Sequence, residues 1–149
     1  MSPDSSTVSF RRISGSLRRR PIERFARKLE VEVAKGRAFD CLIATDGELR
    51  RLNREFRGKD AATDVLSFPA ASNRAEHLGD VAVSVGRARV QAREHGHTIE
   101  QEIQILMLHG VLHLLGLDHE TDRGRMARAE KRWRATLGLP NGLIERARS

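Results

Sequence analysis

Three histidines, His109, His113 and His119, stand in an apolar stretch from Ile103 to His119 that carries no charge before Asp118. On an α-helix His109 and His113 share one face, one turn apart, so both imidazoles can reach one ion. Gly116 follows three residues after His113 and can adopt the left-handed conformation that closes a helix C-terminus. The reversed chain then returns His119 as a third ligand. Three neutral imidazoles with a fourth position open form the donor set of a catalytic zinc site, since structural sites are normally closed by a fourth side chain. A single histidine in an apolar helix is ordinarily a core residue with a hydrogen-bonded partner. Three in one stretch would be costly to bury unless something satisfied them, and one metal ion satisfies all three. The chemistry implied is that of a metal-dependent hydrolase.

The flanking sequence supplies elements to hold this stretch. Thr98 and Gln101 form a capping box that starts the histidine helix. Before it, Val85 to Gly96 has helical spacing with Arg87, Arg89 and Arg93 on the polar side, and Leu78 to Val85 alternates as a strand. Val8 to Ile13 and Phe39 to Ala44 are further strand candidates. Ile22, Phe25, Ala26, Leu29 and Val33 lie on one helical stripe that Gly36 ends. Thr45 with Glu48 opens a helix over 46–55, with Leu49 and Leu52 inward. A basic loop follows, leading to a strand stopped by Pro69, and Asn73 to His77 has the composition of an exposed turn. Past His119, Met126, Ala129, Trp133 and Leu137 share one face of a charged covering helix over Glu120 to Leu137. The pattern predicts an α+β fold: a small mixed sheet of about four strands packed with helices, the histidine helix lying centrally.

A chain of 149 residues fits one domain, 1–149, with flexible ends over 1–7 and 143–149. The polar start lacks the apolar core of a secretory signal, and no apolar run reaches membrane-span length, so a cytoplasmic location is expected. The single cysteine, Cys41, sits in an apolar run and reads as a small core residue rather than a nucleophile. A net charge of +7 and a pI near 10.8 favour a polyanionic partner, nucleic acid above all, although an arginine-rich composition gives the same charge without one. Aromatic residues make up 4% of the chain, with no tyrosine, which argues against a stacking platform and leaves backbone phosphates to carry affinity.

The run His109-Gly110-Val111-Leu112-His113-Leu114-Leu115-Gly116-Leu117-Asp118-His119 closely resembles the H-G-x-L-H-L-x-G-y-D-H signature of the YbeY family of bacterial endoribonucleases. Arg57-Gly58-Lys59 with Thr63-Asp64-Val65-Leu66-Ser67-Phe68-Pro69, and Leu78-Gly79-Asp80 entering a strand, are similar to that family's other characteristic segments, in the same order. The resemblance implies a zincin-like fold holding one zinc ion. The expected activity is single-strand-specific, metal-dependent RNA cleavage in maturation of the small-subunit rRNA 3′ end and in ribosome quality control. It implies His109, His113 and His119 as zinc ligands, Arg57 as the catalytic arginine, and ribosomal small-subunit and assembly factors as partners.

The same signature overlaps the metzincin protease pattern, in which a glutamate follows the first histidine and takes the proton from water. Gly110 stands there instead, so a protease reading lacks its general base. From the residues alone Arg57 is either a surface arginine of a basic loop or a guanidinium that grips phosphoryl oxygens. Asp118 has three possible roles: orienting a ligand imidazole, acting as a base, or capping the turn. Asp64 and Asp80 are turn residues or anchors for Arg57. His77, His95 and His97 are expected in exposed polar turns. A zinc-stabilised RNA-binding assembly factor without hydrolytic activity is the alternative function.

Overall fold

A computed structural model of the chain describes residues 5–13, 15–70, 77–118 and 123–140. Strand β1 (Thr7–Phe10) leads to α1 (Arg19–Lys28), which widens into a π-helical turn over Leu29–Val33 before β2 (Ala38–Ala44). Then come α2 (Asp46–Arg57), β3 (Val65–Pro69), β4 (His77–Ser84), α3 (Val85–His95), α4 (Ile99–Leu114) and α5 (Arg125–Leu137). The four strands form one mixed sheet in the order β1-β2-β4-β3, with β1, β2 and β4 parallel and β3 antiparallel on the edge. The expected α+β architecture with a four-stranded sheet is what the chain adopts.

Strand alternation divides this sheet into two faces. On one, Cys41, Ile43, Val81 and Val83 meet α1 and α4 in the main core, with Ile22, Phe25, Leu29, Ile103, Leu106, Met107, Val111 and Leu112. On the other, Ala44, Leu66 and Ala82 meet Leu49 of α2 in a small second cluster. The histidine helix α4 is buried nearly all round, including Ile105 and Leu108, as expected of a helix apolar on every side. Burying one such side chain stabilises by roughly 1.5–3 kcal/mol, so the interior of the helix is fixed by packing rather than by propensity.

Local chemistry sets the ends. The Thr98–Gln101 capping box forms in both directions, with Gln101 N–H donating to Thr98 Oγ1 at 3.1 Å and Thr98 N–H to Gln101 Oε1 at 3.0 Å. At Thr45 only half a box forms. The hydroxyl accepts from Glu48 N–H at 3.3 Å, while the Glu48 carboxylate turns instead to Arg51 and Arg11. The first strand is shorter than its sequence pattern because Arg12 adopts φ 55°. At the N-terminal end, Ser6 and Thr7 join the fold through hydrogen bonds and the sheet. Ser6 N–H donates to Glu30 Oε1, Ser6 Oγ accepts from Phe39 N–H, and Thr7 opens β1. The expected flexible tail at 143–149 lies outside the described residues.

Candidate metal centre

Helix α4 carries His109 and His113 one turn apart, their ring centroids separated by 4.8 Å. The helix ends as its sequence predicts. Gly116 takes φ 94°, its N–H donates to His113 O at 2.9 Å, and Leu117 N–H reaches back to Leu112 O at 3.1 Å. This Schellman closure reverses the chain just before the third histidine of the motif. His119 itself lies outside the described residues, and Asp118 stands half-buried beyond the turn.

His109 is buried, and its Nδ1 lies 3.1 Å from Oε2 of Glu130 on the covering helix α5, with side-chain exposures of 10% and 2%. A metal ligand must be the neutral imidazole, and in that form an Nδ1–H donated to the carboxylate leaves Nε2 its lone pair. A carboxylate behind the far nitrogen is how metal-ligating histidines are usually oriented, and the pair fits a zinc ligand on this ground. Sequence reasoning missed Glu130. The signal was present, because Glu130 lies four residues after Met126 and three before Trp133, within the apolar stripe of its helix, where a carboxylate needs a partner.

At Gly110, α4 packs tightly against the sheet. The Gly110 carbonyl accepts from Ser67 Oγ at 2.8 Å, and a Cβ built there would lie 2.6 Å from Val81 Cγ1. The position has no room for a glutamate, so the general base of the protease pattern is sterically excluded as well as absent.

Arg57 is not in a loop. Helix α2 runs on to Arg57 because Gly58 accepts a left-handed φ of 70°, and Lys59 N–H then closes onto Asn53 O at 3.2 Å. The Arg57 side chain is exposed and makes no hydrogen bond or ion pair among the described residues. Its neighbour Phe56 packs edge-on against Phe68 of β3, centroids 5.7 Å apart. Ser67, the preceding residue of β3, meets Gly110 from the other face. Helix α2, which carries the arginine, and helix α4, which carries the histidines, thus meet one edge strand from opposite sides, and no contact among the described residues joins Arg57 to the histidines directly.

Asp64 does not hold Arg57. Its carboxylate accepts from Gln91 Nε2 at 3.1 Å, and its carbonyl accepts from Ser84 N–H at 2.9 Å, tying the start of β3 to α3. Asp80 also lies elsewhere. With Asp40 and His77 it forms a group whose ligand atoms all fall within 4.8 Å of one another and which could hold a metal ion. His77 is therefore no exposed turn residue. It opens β4, half-buried, its Nε2 lying 3.8 Å from Asp40 Oδ2. Partial burial, and then the Asp40 charge, push the Asp80 carboxyl above its ordinary range, with His77 acting the other way. Cys41 is a core residue, as expected. Burial and the neighbouring Asp40 charge push its thiol up to about 12.

A groove of about 530 Å³ opens on the α2 face of the sheet, lined by Asp40, Leu42, Leu52, Phe56, Phe68 and Asp80 among others. A second hollow, on α1, is bounded by Arg20, Arg24, Arg27 and Lys28. Among the described residues no helix is long and apolar enough to cross a membrane.

The family model described as endoribonuclease YbeY matches residues 10–138. A protein of that name from Solibacter usitatus is 70% identical over 148 residues, covering 99% of both chains. Another from Koribacter versatilis is 52% identical over 105 residues, covering 70% of this chain and 68% of its own. The solution structure of TM1509 from Thermotoga maritima superposes with a TM-score of 0.59 at 28% identity, covering 86% of this chain and 85% of that one. The residues around His109 and those around Arg57 are accordingly parts of one inherited framework, and the chain belongs to the endoribonuclease YbeY family.

Proposed function

We propose that the chain is a zinc-dependent, single-strand-specific endoribonuclease of the cytoplasm, acting in maturation of the small-subunit rRNA 3′ end and in ribosome quality control. The observation that carries this reading is the His109–His113 pair. Two imidazoles share one helical face, and Glu130 turns the Nε2 of His109 outward, in a chain whose family is one of endoribonucleases. His109 and His113 would hold the ion, with His119 the third ligand by its place in the motif. Bound there, zinc supplies Lewis acidity toward a phosphoryl oxygen and lowers the pKa of a water to about 7.

The rest falls to the chain's own residues. Arg57 is always protonated, and its planar fork can grip two phosphoryl oxygens as negative charge gathers on them. Glu130 holds the His109 ring in one orientation. Net charge of +7 and the arginine-rich flank of α1 favour a polyanion, and they extend the reading to ribosomal small-subunit and assembly factors as partners.

The test is cleavage of single-stranded and duplex RNA by purified protein through chelation and zinc readdition. Activity on single strands should vanish with the metal and return with it. Cleavage indifferent to zinc, or surviving loss of the site histidines, would overturn the enzyme reading and leave a zinc-stabilised RNA-binding assembly factor.

A further inference from the structure

We propose that the groove on the α2 face binds one unpaired guanine of the RNA, a reading that rests on the RNA substrate proposed above. Sheet register builds the site. Thr7 pairs with Asp40, Asp40 with Asp80, and Asp80 with Phe68, so four side chains form one row across four strands on the same face. Helix α2 starts directly after β2 and runs back over this face for about 18 Å, the length of twelve residues. That length returns its end to the level of the row, where Phe56 meets Phe68.

Each part of the groove suits a base rather than a phosphate. Phe56 is 66% exposed, an aromatic face left to solvent at the rim, and Leu42 and Leu52 give an apolar floor and wall. Bases stack on such rings whatever their identity. At the far end stand two carboxylates that can only accept hydrogen bonds. They repel a phosphate and favour a base edge rich in donors. The Watson–Crick edge of guanine offers two adjacent donors, N1–H and N2–H, beside its O6 acceptor, whereas those of adenine, cytosine and uracil each offer a single donor group. Thr7 and His77 already engage Asp40, and Asp80 has no hydrogen-bond partner among the described residues, so Asp80 is the principal acceptor. Arg57, the residue after Phe56, places a cation beside the strand from which the base would enter. The groove volume of about 530 Å³ lies within the range of small-ligand sites.

The test is fluorescence anisotropy of zinc-loaded protein with labelled 2′-O-methyl adenosine pentamers carrying either guanine or adenine at the centre. The guanine pentamer should bind about ten-fold more tightly. Asp80→Asn should abolish that preference while leaving binding of the adenine pentamer within about two-fold, its fold checked by circular dichroism. Phe56→Ala should weaken both pentamers about ten-fold. Equal binding of the two pentamers by the unaltered protein would overturn the slot while leaving the RNA reading standing. No binding of either pentamer would overturn the RNA reading and the slot together. Preference that persists in Asp80→Asn, or that low-millimolar Mn²⁺ abolishes by occupying Asp40, His77 and Asp80, would also overturn the slot, the latter assigning the cluster to a cation.

Discussion

Two rows of side chains cross the same four strands one residue apart, and they face opposite worlds. Val8, Cys41, Val81 and Ser67 form the row on the face covered by α1 and α4, where Gly110 is pressed so close that no side chain fits. Thr7, Asp40, Asp80 and Phe68 form the row beside the groove, with two carboxylates and a half-buried histidine near the surface. One face is a closed apolar layer. The other stays open, because α2 covers only part of it. Close packing suits a site that must hold ligand atoms in fixed geometry, since interiors resist deformation. An open, polar face suits a partner that arrives and leaves.

This contrast can be broken at several points. The largest effect is expected at His113. His113→Ala should lose zinc altogether and reduce RNA cleavage to background, and full zinc stoichiometry by elemental analysis would refute the ligand assignment. Arg57→Ala comes next. Cleavage should fall about 10²-fold with zinc content unchanged, because only stabilisation of developing charge is removed. Unaltered cleavage would take Arg57 out of the mechanism. Glu130→Gln should keep the fold but weaken zinc binding about 10–100-fold, read by competition with a chromophoric chelator. Zinc affinity equal to that of the unaltered chain would reduce Glu130 to a packing residue.

Smaller effects test the closed face itself. Gly110→Ala should destabilise by about 1–3 kcal/mol in denaturant unfolding, as overpacking against Val81 outweighs the better helix propensity of alanine. A stabilised variant would show that α4 can lift from the sheet without cost. Last is Cys41, whose thiol is pushed up to about 12 in the folded chain. A disulfide reagent at pH 8 should label it only on unfolding. The unfolded thiol ionises near pH 8.5 while the folded one does not, so this group's contribution to stability declines as pH rises from there. Rapid labelling of folded protein would mean that the layer under α4 opens readily.

Much of the candidate metal centre was legible because its signals are local. The spacing of His109 and His113, the Thr98–Gln101 box and the closing Gly116 each act within one or two helical turns, where the backbone alone decides which side chains meet. Arg57 was assigned to a loop because Gly58 was not read as a helix cap, and that error is also local. The resemblance to a known family carried the RNA substrate, which neither charge nor periodicity could specify.

Sequence by itself determined the elements, the central apolar helix and the facing pair of histidines, because 3.6-residue and two-residue periods are written along the chain. Tertiary structure alone decided that Glu130 stands behind His109, that Gly110 must lack a side chain, and that Asp40, His77 and Asp80 converge beside Phe56 and Phe68. Those meetings depend on strand order and register and on how α5 and α2 lie across the rest. These are set by the simultaneous packing of distant segments, for which no single stretch of sequence carries the period.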